Sequence, residues 1–288
     1  MHDFSYASPE SIDEVCSLLE EYGDDSAIIA GGQSLMPMMR LRAATPEYLV
    51  DINNLPEQEY ISYEDGQVRI GCLVRHADVA SSETVEEHCP ILAEVAEEIG
   101  DRQVRNRGTF CGAVAHADPS GDPPVLATLL DAEIVSRTTE EESVHTGDGF
   151  YAGFYETELD KGTLVTEVRF PALSANQGAG YEKYEPSEGA YPVATVGAVV
   201  TKEDGVLTEV DIVTGAVEPG PVRLDDAEAV LLDEEPTEDR LTDAAHQVEN
   251  EINPISDSEG TGEFKIEMTK TLTKRALETA VARAEGTQ

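Results

Sequence analysis

The sequence predicts an α+β protein of two domains, on three observations. Its 288 residues are enough for two compact cores. The first half switches repeatedly between helical periodicity and short apolar, strand-like runs. A composition shift at Ala172-Leu173-Ser174-Ala175-Asn176-Gln177-Gly178 separates that half from a series of strand candidates followed by helices. These signals place one domain over residues 1–175, in lobes of about 1–55 and 56–175, and a second over 176–288.

The elements follow in order. Ser8 and Pro9 supply an N-cap and a first-turn proline for a helix whose apolar positions are Ile12, Val15, Leu19 and Tyr22, and Gly23 closes it. Ser26-Ala27-Ile28-Ile29 is a short buried strand, and a short helix near Met38-Met39-Arg40-Leu41 starts at Pro37. After Asn53-Asn54-Leu55-Pro56 the second lobe opens with the strand Val68-Arg69-Ile70-Gly71. A helix over about 90–100 follows, with Ile91, Leu92, Val95, Ala96 and Ile99 on one face. Pro123 and Pro124 stand at the entrance of a buried helix running to Leu130. Beyond the boundary, strands are expected over 181–184, 193–201 and 206–214. The last helix, 264–284, carries Met268, Leu272, Ala276, Leu277, Ala280 and Val281 on one core-facing stripe.

Two glycine-bearing loops carry the chemistry. Ala30-Gly31-Gly32-Gln33-Ser34-Leu35 directly follows the strand ending at Ile29. Adjacent glycines let the backbone reach positive φ and present successive N–H groups unobstructed, as a diphosphate requires, and Ser34 adds a hydroxyl. A Gly-Gly pair in this place is also compatible with an ordinary turn. The second loop runs from Arg105-Asn106-Arg107-Gly108 through Thr109, Phe110, Cys111, Gly112 and Ala113 to His116-Ala117-Asp118-Pro119-Ser120-Gly121-Asp122, ending in acceptor carboxylates. Two such loops suit the two ends of one extended nucleotide.

Composition narrows the partners. With 59 acidic against 19 basic residues the formal charge is −40. Blocks such as Asp24-Asp25, Glu140-Glu141-Glu142 and Asp233-Glu234-Glu235 are dispersed through a chain whose apolar pattern continues between them, so the charge belongs to a folded surface. Nucleic acid and anionic membrane are disfavoured as partners. Met1-His2-Asp3-Phe4 lacks a basic region followed by an apolar run, and no stretch is long enough to span a bilayer, so the expected location is the cytoplasm. Cys16, Cys72, Cys89 and Cys111 are dispersed without CxxC spacing, which argues against an iron–sulfur cluster on this chain; Cys16 and Cys72 read as buried thiols. His116 and Asp118 lack metal-site spacing. No GxxxxGK[ST] occurs, Gly178-Ala179-Gly180-Tyr181-Glu182-Lys183 fails GxGxxG at its sixth position, and Ser120 has no GxSxG elbow.

The two loops, together with Phe4-Ser5-Tyr6-Ala7-Ser8-Pro9-Glu10-Ser11, Arg42, Leu49-Val50-Asp51-Ile52-Asn53, Ile70-Gly71 and Gln103-Val104-Arg105, resemble the FAD-binding medium subunit of molybdenum hydroxylases. That group contains carbon monoxide, xanthine and aldehyde dehydrogenases. The resemblance spans nearly the whole chain. It implies a two-lobed FAD-binding domain of the vanillyl-alcohol-oxidase/PCMH type and a C-terminal antiparallel-sheet and helix domain. It further implies non-covalent FAD, electrons received from a [2Fe–2S] small subunit fed by a molybdopterin-binding large subunit, release to an external acceptor, and assembly as a dimer of heterotrimers.

By that resemblance, Gly31, Gly32, Gln33 and Ser34, flanked by Ile29, Ala30 and Leu35, donate around the diphosphate, and Thr109, Phe110, Cys111, Gly112 and Ala113 form a second backbone wall. Asp118 lies at the nucleotide side, and Asp122 accepts from a sugar hydroxyl. Lys183, between Tyr181 and Tyr184, resembles the family lysine near the flavin ring; a solvent-exposed strand-edge lysine is the alternative. Ile99 and Val165 align with apolar cofactor contacts and are equally readable as core. Two features depart from the family. Cys111 replaces a glycine at a position of close backbone approach, and Phe264-Lys265 stands for a Tyr-Arg pair downstream of Ser256-Asp257, a change expected to affect subunit docking. Two other functions fit less well: a non-catalytic assembly or nucleotide-binding module, and a self-contained flavin oxidase, for which no substrate-cap segment is visible.

The acidic surface is read as an adaptation to high cytoplasmic salt. As the Debye length grows from ~3 Å at 1 M to ~30 Å at 0.01 M, carboxylate repulsion reaches across the surface. The melting temperature is therefore expected to fall steadily along a decreasing potassium chloride series, and a salt-independent melt would refute the adaptation.

Overall fold

The computed structural model describes residues 2–187 and 189–286; Met1, at the head of the segment read for targeting, lies outside them. The chain forms two compact units that are not simply consecutive. The first takes the residues up to His116, then Glu133–Thr146 and Thr157–Phe170. The second takes Ala117–Ala132, Gly147–Glu156 and the residues from Pro171 onward. The division expected from composition is linear. In the structure, two segments upstream of residue 175 pack with the C-terminal half, because side-chain burial rather than chain order decides to which core a helix belongs.

In the first unit, the strands Ser5–Ala7, Tyr48–Asp51 and Ser26–Ile29 form a parallel sheet in that spatial order. Parallel neighbours need crossovers. The helix Ile12–Tyr22 lies between the first two in sequence, and the helix Leu35–Leu41 between the last two. The first helix starts later than expected: Ser11, not Ser8, is its N-cap, accepting from the Glu14 N–H at 3.2 Å, and Gly23 closes it at φ 51°. Val15, Cys16 and Leu19 are its buried residues. Pro37 falls inside the first turn of Leu35–Leu41 rather than at its start, where a missing N–H still breaks no intrahelical bond.

A five-stranded sheet completes this unit in the order Ile61–Glu64, Gln67–Gly71, Leu164–Pro171, Glu133–Arg137, Glu142–Thr146. The acidic run at 140–142 sits at its edge hairpin, where charge stays hydrated. The expected helix is Pro90–Glu98, burying Ile91, Leu92, Val95 and Ala96; Ile99 lies just past its end.

The second unit holds the helix Asp122–Leu129, buried along its length with both prolines in the first turn. Its antiparallel sheet has the order Gln177–Tyr184, Ala194–Glu203, Val206–Gly215, Val222–Arg223. The terminal helix Gly262–Ala284, capped by Thr261, covers the sheet, and Leu272, Ala276, Leu277, Ala280 and Val281 join the core as the stripe predicts. Close packing explains why the strand begins earlier than its apolar pattern suggests. A Cβ on Gly178 would lie 2.0 Å from the Ala280 carbonyl oxygen, and one on Gly180 would lie 2.3 Å from that of Ala276. Glycine here brings helix and strand backbones together.

This contact is backbone to backbone, so no rotamer change relieves a new methyl group. Gly180→Ala is expected to destabilise the second unit by about 1–3 kcal/mol, read as a lower denaturant midpoint at unchanged slope.

Candidate functional site

The loop 30–34 leaves the carboxyl end of a parallel strand, the end at which open α/β sheets bind ligands. Gly32 adopts φ +70°, which a β-branched residue reaches only at a cost. Its N–H and those of Gly31, Gln33 and Ser34 donate to no acceptor among the described residues. Met36 N–H bonds to Gly32 O at 3.1 Å and Met38 N–H to Ser34 O at 3.1 Å, so the loop runs straight into the helix. The Ser34 hydroxyl does not cap that helix, and Gln33 is exposed. Ile29, Ala30 and Leu35 are half-buried flanks. Unspent N–H donors on a turn at a strand's carboxyl end form an anion cradle.

The second loop is brought against the first with nothing between them. A Cβ on Gly31 would stand 2.3 Å from Arg107 O, 2.7 Å from the Gly108 Cα and 2.9 Å from the Thr109 nitrogen. Only glycine permits that approach. Thr109 is buried, and the helix Phe110–His116 begins immediately after it. Gly112 is exposed in its first turn, and Ala113, half-buried beside it, donates its N–H to Thr109 O at 3.1 Å. A Cβ on Gly112 would lie 2.3 Å from the Thr109 Oγ1. The first loop thus brings free backbone donors against the segment that opens the helix Phe110–His116, with glycine at the point where the two loops meet.

Cys111, which replaces the family glycine, keeps its side chain off this surface. Its Sγ lies 3.2 Å from Ile70 O and 3.6 Å from Gly71 O, inside the core. Burial pushes this thiol well above its ordinary range, and that of Cys72 up to about 12. The helical turn that starts at Phe110 directs residue 111 inward and residue 112 outward. Phe110 likewise faces inward, edge-on to His76 at 5.9 Å and to Phe170 at 5.8 Å. His76 supports the loop from below, since a Cβ on Gly108 would meet its ring at 2.9 Å. Burial, reinforced by the charge of Arg105, lowers the His76 pKa to about 4, so the imidazole is neutral at pH 7.

Val165 is buried in the strand Leu164–Pro171 and belongs to the core, whereas Ile99 is half-buried and its carbonyl accepts from Arg105 Nη1 at 3.1 Å. Asp118, Asp122 and Lys183 fall in the second unit. Asp118 is half-buried and its Oδ1 accepts from the Ser120 N–H at 3.0 Å. Lys183 is not the solvent-exposed lysine of the alternative reading. Its side chain is 7% exposed and its Nζ lies 3.2 Å from Asp122 Oδ2 and 3.0 Å from Glu185 Oε1. Burial opposes charge on Lys183, but Asp122 and Glu185 outweigh it and hold the ammonium protonated. Asp122, expected only to accept from a sugar, is also committed to its own chain, because Tyr181 donates to its Oδ1 at 2.8 Å. No periodicity pairs residues 61 positions apart.

Ser256, Asp257 and Lys265 fasten a loop. Lys265 is buried and bonds to Asp257 at 2.5 Å, Asp257 Oδ1 accepts from the N–H groups of Glu259 and Gly260, and Ser256 Oγ accepts from that of Gly262. The lysine expected to alter docking is thus spent inside the unit, while Phe264 lies edge-on to Tyr184 at 6.0 Å.

Comparison with known proteins agrees with these features. Residues 2–173 match the family described as the FAD binding domain in molybdopterin dehydrogenase, and residues 179–280 match the CO dehydrogenase flavoprotein C-terminal domain. The carbon monoxide dehydrogenase medium chain of Hydrogenophaga pseudoflava is 36% identical, over 97% of this chain and 98% of its own. The glyceraldehyde dehydrogenase medium chain of Sulfolobus acidocaldarius is 35% identical over 96% and 97%. The solved structure of the Hydrogenophaga pseudoflava carbon monoxide dehydrogenase that lacks the Mo-pyranopterin moiety superimposes with a TM-score of 0.95 at 38% identity, covering 98% of both chains. With the fold matched end to end and both family models placed in order, the chain belongs to the FAD-binding medium chains of the carbon monoxide and xanthine dehydrogenase type of molybdenum hydroxylases.

Proposed function

We propose that this chain is the flavin relay of a heterotrimeric molybdenum hydroxylase. Electrons would come from a [2Fe–2S] small subunit supplied by a molybdopterin-binding large subunit, and leave to an external acceptor. The observation that carries the reading is the pair of loops meeting at Gly31, with unspent N–H donors on one side and the first turn of Phe110–His116 on the other. Gly31, Gly32, Gln33 and Ser34 are the proposed diphosphate donors, with Thr109, Cys111, Gly112 and Ala113 contributing through backbone. Bound FAD would supply reversible uptake of electrons and their delivery onward. Lys183, held protonated, is the proposed cation toward the flavin, with Asp122 fixing its position. Asp118, Ile99 and Val165 remain proposed cofactor neighbours on the family resemblance alone.

The functional division into residues 1–175 and 176–288, the dimer of heterotrimers, a cytoplasmic location and salt adaptation belong to the same proposal. The two family matches and the charge of −40 support it, and no helix among the described residues is long and apolar enough to cross a membrane. The competing reading of a non-catalytic assembly or nucleotide-binding module leans on the Cys111 substitution, and that support lapses because its sulfur is turned into the core.

Protein purified gently in high salt is expected to release FAD on acid or heat treatment, identified by chromatography. Recovery of FMN, covalent flavin, or no flavin after reconstitution would refute the relay. Gly31→Ala is expected to cost more affinity than Asp122→Ala. It drives a methyl group into backbone atoms at the junction, whereas the latter removes charge-assisted bonds worth about 1.5–3 kcal/mol, roughly ten- to hundredfold in Kd. Flavin-fluorescence titration of the apoprotein ranks the two.

A further inference from the structure

The junction of the two loops is spanned by a side-chain chain that the cofactor contacts do not include. Asn53, two residues past the end of the central strand Tyr48–Asp51, donates from Nδ2 to Ala30 O at 2.8 Å. Its Oδ1 accepts from Arg75 Nη2 at 2.7 Å. Arg75 Nη1 in turn donates to Arg107 O at 2.8 Å. Ala30 opens the first loop, and Arg107 O is the atom closest to a Cβ built on Gly31. The three bonds therefore tie the carbonyl at the root of one loop to the carbonyl at the crest of the other.

Both ends of this chain are independently fixed. Asp51 Oδ1 accepts from the Asn53 N–H at 2.9 Å and from its Nδ2 at 2.6 Å, and Tyr6 donates to Asp51 Oδ2 at 2.7 Å, so the amide cannot turn without losing partners. On the other side, Asp78 Oδ2 accepts from the Arg75 N–H at 3.1 Å. The backbone on either side of Arg75 bonds to the second loop, through His76 N–H to Gly108 O at 3.0 Å and Phe110 N–H to Val74 O at 3.0 Å. A planar guanidinium with two divergent donors spans such a gap; an ammonium on a single nitrogen does not.

We propose that Asn53 and Arg75 are positioning residues that set the spacing of the two cradle loops, and hence the affinity for the dinucleotide, without touching it. This rests on the FAD reading above. Backbone donors bind a diphosphate well only when their separation is fixed beforehand, since ordering a loop during binding subtracts from affinity. Glycine lets the loops approach but does not hold them there, and the brace supplies what glycine lacks.

The test uses the flavin-free full chain in high salt, titrated with FAD and followed by flavin fluorescence, with amide hydrogen exchange on the same samples. Asn53→Ala and Arg75→Lys are each expected to raise Kd by roughly ten- to hundredfold. Arg75→Lys is the discriminating variant. It keeps the positive charge and loses the fork, so wild-type affinity there would mean that charge alone attracts the anionic cofactor, and the brace is wrong. If Asn53→Ala does not fold, Asn53→Asp decides the matter. That variant keeps an acceptor for Arg75 and loses the donor to Ala30, so exchange is expected to quicken at Met36 and Met38 and to stay slow at His76 and Phe110. Unchanged exchange at all four overturns the proposal. Absence of FAD binding by the wild type overturns instead the cofactor reading on which it rests.

Discussion

The approach of Gly31 to the backbone of Arg107, Gly108 and Thr109 is the constraint on which the first unit is organised. Two polypeptide segments come within van der Waals contact without a side chain between them, and each arrives from a different piece of secondary structure. The first leaves the carboxyl end of the strand Ser26–Ile29; the second enters the helix Phe110–His116. Such a contact tolerates little error, because backbone atoms have no rotamers with which to absorb a misplacement. The surrounding architecture removes that freedom. The parallel sheet fixes the root of one loop, the Val74–His76 segment pairs with the other, and His76 and Phe110 fill the space beneath. What the arrangement presents outward is main-chain N–H, the group that suits a diphosphate without adding charge.

A chain with 59 acidic and 19 basic residues has few cations to place, and several are placed where they cannot serve solubility. Lys183 and Lys265 are buried against carboxylates, and Arg223 joins Asp211, Glu228 and the carbonyl of Thr128. An exposed ion pair contributes little and is screened by salt, whereas removing one partner of a buried pair leaves an uncompensated charge at high cost. The acidic coat and the interior cations therefore answer to different forces. The coat responds to ionic strength over the scale of a Debye length. The pair Lys183–Asp122, with both side chains 7% exposed, is largely insulated from it.

In the second unit the same use of glycine recurs for a structural end. Gly178 and Gly180 let the helix Gly262–Ala284 lie directly on a strand, with Ala276 and Ala280 facing them. Small residues on both partners shorten the distance between the helix and the sheet, so the strand carrying Lys183 packs directly against the helix. The orientation of a proposed functional lysine thus depends on packing several residues away along its own strand.

Local physics made much of this legible in the sequence. Helical periodicity over about 90–100 and 264–284 located the helices Pro90–Glu98 and Gly262–Ala284 to within two residues at each end, and the turn chemistry of Gly23 and the Ala30–Leu35 run located the first loop. These signals work because each depends on residues within a few positions of one another. Only the tertiary structure decided the rest. It placed Asp122–Leu129 in the second unit, turned Cys111 inward, paired Asp122 with Lys183 and Asp257 with Lys265, and brought Asn53, Arg75 and Arg107 into one hydrogen-bonded chain. Residues far apart in sequence leave no periodic trace, and a helix one residue out of phase exchanges the side chain that is buried for the one that is exposed. Composition and local order supply the glycines, main-chain donors and carboxylates; long-range packing decides which of them meet at the loop junction and which hold the others in place.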